Sequence, residues 1–196
     1  MFFKDKKLKA AELRSEAWHL YQEKTPSSIR KAAKLLLKAA DYGDVLAMYT
    51  LGQLYEENLY LFENAGAESI KWYTAAANQD WAWAQLKLAK LYETGRLVTQ
   101  SNEESLHWLT KAADNGLLDA QYELGLRYLE GRGIEQSYDK ATYWIKLTAD
   151  AGYKPGIAKL EELNARPKKT KIPSIYDELF EDLNGSAMEN QKDTYR

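Results

Sequence analysis

Three tryptophans, Trp72, Trp108 and Trp144, follow one another at steps of 36 residues, and this regular step is the strongest constraint on the fold. Tyrosines and alanines recur with nearly the same step. The members of these two series are Tyr55, Tyr92, Tyr128, Ala47, Ala84 and Ala120. Self-similarity at a period of about 20 to 50 residues is typical of solenoids and other repeat arrays. The chain is therefore expected to consist of several copies of one supersecondary unit.

Each unit also has small residues at fixed positions. A leucine followed by glycine or alanine precedes each tyrosine, as in Leu51-Gly52, Leu88-Ala89 and Leu124-Gly125. Small side chains let two helices approach closely. A glycine such as Gly116 or Gly152, placed after the tryptophan, readily adopts the left-handed conformation that ends a helix. The unit is therefore predicted to be a pair of packed helices.

Apolar period, capping residues and helix breakers predict where these helices begin and end. The predicted helix pairs cover 5–23 with 27–42, 45–58 with 66–79, 82–94 with 102–115, and 118–130 with 137–151. They define four repeats at about 8–44, 45–81, 82–117 and 118–153, followed by a closing helix at 154–165. Ser27, Ser101 and Ser137 are the predicted N-caps. Because no single pair can bury its apolar face, the pairs are expected to stack into one domain over residues 1–165.

The unit A-x3-L-G-x2-Y, followed by K-A-x2-W and A-A-x2-G, resembles the Sel1-like repeat, a relative of the tetratricopeptide repeat. Residues 120–152 match it best. The resemblance covers about residues 10–165 and implies an all-α, right-handed α/α superhelical solenoid of about four helix-pair repeats plus a closing helix. It also implies an adaptor or scaffold, because Sel1-like proteins mostly act in that way. The loops at 57–64 and 94–98 depart from the family's Gly-x-Gly-Val turn.

The last segment, residues 166–196, does not repeat. A basic linker at 166–171 precedes an acidic stretch in which apolar residues recur at helical spacing. These apolar residues are Ile175, Leu179, Phe180 and Leu183. The pattern predicts an amphipathic helix at 174–183, with a disordered end beyond it. The helix is expected either to cap the last repeat, or to bind a partner or the groove of a second copy.

Composition and charge exclude several kinds of site and partner. The chain of 196 residues has no cysteine, which excludes disulfides, thiolate metal sites and cysteine nucleophiles. Its 27 basic and 29 acidic residues give a net charge of −2, so there is no general attraction to nucleic acid or anionic lipid. No apolar run approaches the roughly 18 residues of a membrane span, and the N-terminus has no signal-peptide core. We therefore expect a cytoplasmic protein that binds neither nucleic acid nor membrane.

The sequence offers few catalytic side chains. Its two histidines, His19 and His107, have no second histidine at metal-ligand spacing. Adjacent carboxylates such as Glu103-Glu104 point to different helix faces, and there is no Gly-rich phosphate loop. We therefore predict no catalytic, cofactor-binding or metal-binding residue. A hydrolase is the less favoured alternative, and it would require a compact pocket that holds a histidine beside two carboxylates.

In tetratricopeptide-like arrays the first helix of each pair lines the concave face. The small-residue position of each repeat then fixes which side chains face this groove. The predicted groove residues are Glu12, Glu16, His19, Tyr49, Gln53, Glu56, Trp83, Leu86, Lys90, Glu93, Tyr122 and Leu126. Aromatic residues in a groove are typical binding hot spots, and the acidic residues favour a basic or mixed-charge partner.

Two further features exceed what the repeat requires. Trp81 and Trp83 occupy positions where other repeats have residues such as Asp44 and Leu117. Residues 59–62 place four apolar side chains in a loop between helices. Exposed apolar patches mark interfaces. Trp81, Tyr60 and Phe62 are therefore predicted to bind a partner, as are Ile175, Leu179, Phe180 and Leu183. The alternative for the loop is that it folds back over its own helices.

These observations favour a non-enzymatic protein–protein interaction module, a bacterial adaptor or regulator that holds another protein in its concave groove. The alternative is an immunity or inhibitor protein that neutralises a cognate toxin or effector. Association between copies, through the tail or the end faces of the array, is compatible with the same pattern. No cofactor is predicted.

Overall fold

The computed structural model describes residues 2–165, with side chains from Asp5 onward. Within this range the chain forms nine α-helices and no strand. They are α1 (Phe2–Gln22), α2 (Pro26–Asp41), α3 (Val45–Glu57), α4 (Ala65–Ala77), α5 (Ala82–Thr94), α6 (Asn102–Asp114), α7 (Leu118–Glu130), α8 (Tyr138–Asp150) and α9 (Lys154–Ala165). Each helix predicted within residues 2–165 is present, and its ends lie within three residues of the predicted ends. The predicted all-α repeat architecture is confirmed.

Helices pack pairwise and then in series. The pairs α1–α2, α3–α4, α5–α6 and α7–α8 form the repeats, and the second helix of each repeat contacts the first helix of the next. The contact between the first two repeats is named here the first junction, and the second and third junctions follow in order. The repeats lie within one of the chain's two compact units, Met1–Leu160. Of the other unit, Glu161–Arg196, only the end of α9 is described.

The predicted tail features fall outside the described residues. They are the linker at 166–171, the amphipathic helix at 174–183 and the partner-binding residues Ile175, Leu179, Phe180 and Leu183. They remain predictions from the sequence.

Side-chain capping explains four of the nine helix starts described. Ser101 and Ser137 are N-caps as predicted, and their hydroxyls accept from the backbone N–H groups of Glu104 and Lys140. The prediction of Ser27 as a cap is wrong. Thr25 caps α2 instead, because Pro26 already lies in the first helical turn, where its missing N–H costs nothing.

The small-residue position determines how closely the two helices of a repeat approach. A Cβ added to Gly52 would lie 2.5 Å from the Tyr73 ring, and one added to Gly125 would lie 2.8 Å from Ile145. Both distances are shorter than any normal contact. The first helix therefore packs its backbone directly against a large side chain of the second, which is the role predicted for this position.

Candidate partner-binding surface

An ion-pair cluster centred on Glu56 joins the second and third repeats. Oε2 of Glu56 accepts a hydrogen bond of 2.6 Å from the Tyr73 hydroxyl on α4 and lies 2.8 Å from Nζ of Lys87 on α5. Oε1 lies 3.1 Å from Nη1 of Arg96, as an ion-pair contact without hydrogen-bond geometry. Burial raises the pKa of Tyr73, and the hydrogen bond to Glu56 raises it further. The carboxylate therefore has two cations and a hydroxyl as partners within the chain.

A similar cluster joins the third and fourth repeats. Oε1 of Glu93 on α5 lies 3.1 Å from Nη2 of Arg127 on α7 and 2.8 Å from Nη1 of Arg132. Glu123 contacts the same two arginines, at 3.5 Å from Nε of Arg127 and 2.8 Å from Nη2 of Arg132. Glu93 and Glu56 hold the same position in successive repeats, and so do Arg132 and Arg96. The repeat therefore carries an ion pair across each of these two junctions.

These contacts change the predicted groove. Glu56 is 6% exposed and Leu86 is 5% exposed, so neither is accessible to a partner in the way the sequence suggested. Glu56 is buried because it faces the cations of the next repeat, and Leu86 because it joins the apolar core. Glu93 is partly accessible but already paired. The expectation that free acidic residues select a basic partner therefore has little support from Glu56 or Glu93.

The other predicted groove residues remain accessible to different degrees. Those that are exposed are Glu12, Glu16, His19, Trp83 and Lys90, and those that are partly buried are Tyr49, Gln53, Tyr122 and Leu126. Trp83, on α5, is 47% exposed despite its size. Whether these residues bind a partner stays a prediction.

Aromatic contacts hold several of these residues in place. The ring of Tyr49 lies 5.6 Å from that of Tyr73 and 6.4 Å from that of Trp81. Trp81 is partly buried and packs on the core, unlike its neighbour Trp83. Tyr122 lies 5.7 Å from Tyr153. The Tyr153 hydroxyl donates to Asp119, and this hydrogen bond, aided by burial, raises the pKa of Tyr153 to about 12.

One half of the loop at 59–62 folds back over its own helices, and the other half is exposed. Leu61 and Phe62 pack against the core, with the ring of Phe62 4.9 Å from that of Tyr55. Leu59 is exposed, and Tyr60 is 81% exposed. Phe62 therefore stabilises the loop, whereas Tyr60 is accessible to a partner.

A cleft between α1 and α3 was not predicted from the sequence. It has a volume of about 550 Å³, and its walls include Ser15, Trp18, Leu36, Leu46 and Leu54. Trp18 is 58% exposed and Leu46 is 37% exposed, although both are large and apolar. The only sequence signal for it is Trp18, which stands where later repeats have a tyrosine.

Neither histidine contributes to that cleft. His19 and His107 are both exposed, and the ring of His107 lies 5.1 Å from that of Trp108. The described residues contain no group of three histidine or acidic side chains that could hold a metal ion. Over the same range, no helix has the length and apolar character needed to cross a membrane.

Comparison with known families agrees with this geometry. The Sel1 repeat model matches residues 15–44, 45–81, 84–117 and 118–153. The chain belongs to the Sel1 repeat family. Sel1 repeats generally mediate protein–protein interaction, and their solenoid is typically a non-catalytic scaffold. No match was found among curated proteins.

Solved Sel1 repeat structures are similar to this chain. A protective antigen of uropathogenic Escherichia coli with an SLR fold is 25% identical, with a TM-score of 0.70 over 84% of this chain and 36% of the antigen. A Sel1 repeat protein from Oxalobacter formigenes is 27% identical, with a TM-score of 0.66 over 78% of this chain and 62% of that protein. Cysteine rich protein B of Helicobacter pylori shares the fold, at 15% identity and a TM-score of 0.55 over 69% of this chain and 97% of its own. This chain thus spans about a third of the Escherichia coli antigen and about three fifths of the Oxalobacter formigenes protein.

Proposed function

We propose that this Sel1 repeat chain is a non-enzymatic interaction module that binds a partner protein along the surface formed by α1, α3, α5 and α7. The observation that carries the proposal is the set of large apolar side chains left exposed on these helices. Trp18, Leu46 and Trp83 are each more than a third exposed. Apolar area left in water is a cost of about 25 cal/mol per Å² that a partner would remove.

The chemistry of these side chains suits recognition of another protein. Tryptophan and tyrosine are enriched among the residues that dominate binding energy, because they bury a large area with few rotatable bonds. Tyr49 and Tyr122 are already oriented by their aromatic neighbours Tyr73 and Tyr153. A partner would therefore lose less side-chain entropy at these two positions than at a free tyrosine.

The proposed role is that of an adaptor or regulator in a bacterial cytoplasm. The absence of cysteine suits a reducing compartment. The non-catalytic role is supported by the exposed histidines, neither of which lines the cleft between α1 and α3.

The proposal is tested by affinity capture with the wild-type chain and a Trp83→Ala/Tyr122→Ala variant, followed by quantitative mass spectrometry. Partner recovery is expected to fall at least about tenfold in the variant, which corresponds to losing one modest hot spot. A Tyr143→Ala/Tyr138→Ala variant is the matched control, because both tyrosines are exposed on α8, a second helix. Equal recovery of the same partners by all three proteins would overturn the surface assignment.

A further inference from the structure

The first junction is built differently from the two that follow it. Across the second and third junctions, Glu56 and Glu93 meet cations of the next repeat. The position of these glutamates is taken by His19 in the first repeat, and the position of Lys87 is taken by Thr50 in the second. His19 and Thr50 form no ion pair. The space that is filled by charged side chains elsewhere is here an open cleft.

Two contacts hold the helices on either side of this cleft. The Arg14 guanidinium pairs with Asp44, the N-cap of α3, and the Tyr21 hydroxyl donates to Glu57 at the end of α3. Apolar side chains lie between them, with Leu36 and Leu54 at the bottom and Trp18 near the surface. A cavity of about 550 Å³ lies within the range of roughly 300–1,000 Å³ typical of ligand sites. This size and lining fit one or two bulky apolar side chains.

Positive charge lies at one end of the same cleft. A second hollow of about 650 Å³ shares Ala11 and Arg14 with it and is lined by Lys6 and Lys7. Both lysines are exposed, and neither has an ion-pair partner among the described side chains. Arg14 is neutralised by Asp44, so the unpaired charge comes from the lysines.

The negative charges nearby do not cancel this arrangement. Asp5, Glu12 and Glu16 are on α1, but they line neither hollow. Glu57 lies at the opposite end, where it accepts from Tyr21. The cleft is therefore apolar along its middle and basic towards the start of α1.

We infer that this cleft binds an acidic peptide segment that carries a bulky apolar anchor. The inference rests on the proposed function and specifies the partner's chemistry. The anchor enters between Trp18 and Leu46, and the acidic residues face Lys6 and Lys7. Trp18 lies eleven residues after Lys7 on α1, or about 16.5 Å along the helix at 1.5 Å per residue. An extended peptide covers that distance in about five residues.

The test uses a phage library of random 12-residue peptides selected on the full-length chain. Enriched sequences are expected to contain aspartate or glutamate together with tryptophan, phenylalanine or leucine. An enriched peptide, labelled with fluorescein, is then measured by fluorescence polarisation. A Lys6→Glu/Lys7→Glu variant and a Trp18→Ala variant are each expected to weaken binding at least about tenfold. Ser15→Phe, which fills the cleft from an exposed position, is expected to abolish binding.

Matched controls separate the cleft from general effects of charge or folding. Lys31→Glu/Lys34→Glu makes the same charge change on exposed residues of α2, and Tyr143→Ala removes an exposed aromatic side chain of α8, outside the proposed surface. Both controls are expected to bind the peptide as the wild type does. Circular dichroism is expected to show the same helix content in every variant.

Three results would overturn the inference. They are enriched peptides without acidic residues, binding that is insensitive to the three cleft variants, and no enrichment at all. None of them decides the proposed function, which depends on partner capture by the Trp83→Ala/Tyr122→Ala variant. The two ideas can therefore fail separately.

Discussion

Gly52 on α3 faces the ring of Tyr73 on α4 so closely that a Cβ at position 52 would lie 2.5 Å from Cδ1 of the ring. In the third repeat the corresponding residues are Ala89 and Leu109, and both are buried. Of these two repeats, the one with the bulkier second-helix residue thus has the smaller first-helix residue, whereas the fourth repeat pairs Gly125 with Ile145. In the second and third repeats the two positions share a space, which their side chains divide between them.

A Gly52→Ala substitution is expected to destabilise the chain by about 1–3 kcal/mol, the usual cost of forcing an extra carbon into a packed core. Urea unfolding provides the measurement. Adding Tyr73→Leu recreates the pair found in the third repeat and is expected to recover part of the loss. A double-mutant cycle with no favourable coupling between the two changes would contradict the shared-space account.

Substitution of the buried glutamate tests the ion pairs between repeats. Glu56→Gln is expected to cost about 1–3 kcal/mol, because Lys87 loses its anionic partner at a buried carboxylate. Glu93→Gln is the matched comparison. Its side chain is 30% exposed, and its buried partner Arg127 keeps a second carboxylate, Glu123, so the cost is expected to stay below about 1 kcal/mol. If thermal unfolding showed the same loss of stability in both variants, burial of the carboxylate would not determine the strength of these ion pairs.

Alkaline pH is expected to destabilise the fold through Tyr73. Burial and Glu56 raise the pKa of Tyr73 above its ordinary value of 10.0 in the folded state. Above pH 10 the unfolded chain releases this proton while the folded chain keeps it, so stability falls as pH rises. One such group contributes a slope of up to about 1.4 kcal/mol per pH unit.

The Tyr73→Phe variant is therefore expected to lose stability less steeply than the wild type above pH 10. The measurement is the free energy of unfolding in urea at several pH values. Tyr60→Phe is the control, because the Tyr60 side chain is 81% exposed and its removal is expected to leave the slope unchanged. If Tyr73→Phe and wild type had the same slope, the hydroxyl of Tyr73 would not be the group responsible.

A left-handed residue at the end of the second repeat offers a stabilising change. Asp80 has φ of 59°, whereas Gly43, Gly116 and Gly152 hold the corresponding position in the other repeats with φ of 79–82°. An L-residue with a Cβ is strained in this region. Asp80→Gly is expected to stabilise by about 0.5–1 kcal/mol, and the reverse change, Gly116→Asp, to destabilise by a similar amount. A lower urea midpoint for Asp80→Gly would contradict this expectation.

The sequence was sufficient to predict the helices because each of their determinants is local. The tryptophan step, the glycines after each pair and the serine caps all act within a few residues, and helix ends were predicted to within three residues. The small-residue position could be predicted as well, because its role follows from the repeat. Ser27 was assigned wrongly because the preceding Pro26 moves the helix start back to Thr25.

The candidate surface could be predicted only in part, because it depends on contacts between repeats. Glu56 and Lys87 are 31 residues apart, and nothing in either local sequence indicates that they meet. A register argument places Glu56 in the groove, accessible to a partner, but the cations of the next repeat bury it. The sequence does not reveal the cleft, because a tryptophan at position 18 is equally compatible with the core. The cleft arises because Thr50, on α3, leaves the space beside Trp18 unfilled.

The open first junction has a consequence for how the array comes apart. One ion pair, Arg14–Asp44, crosses this junction, whereas two cross each of the others, so fewer charged contacts must be broken before α1 and α2 separate from the remaining helices. Amide hydrogens in this terminal hairpin are therefore expected to exchange with deuterium sooner than those of α5 and α7. A peptide lodged between α1 and α3 would slow that exchange, so occupancy of the cleft and fraying of the end would be opposing states of one equilibrium.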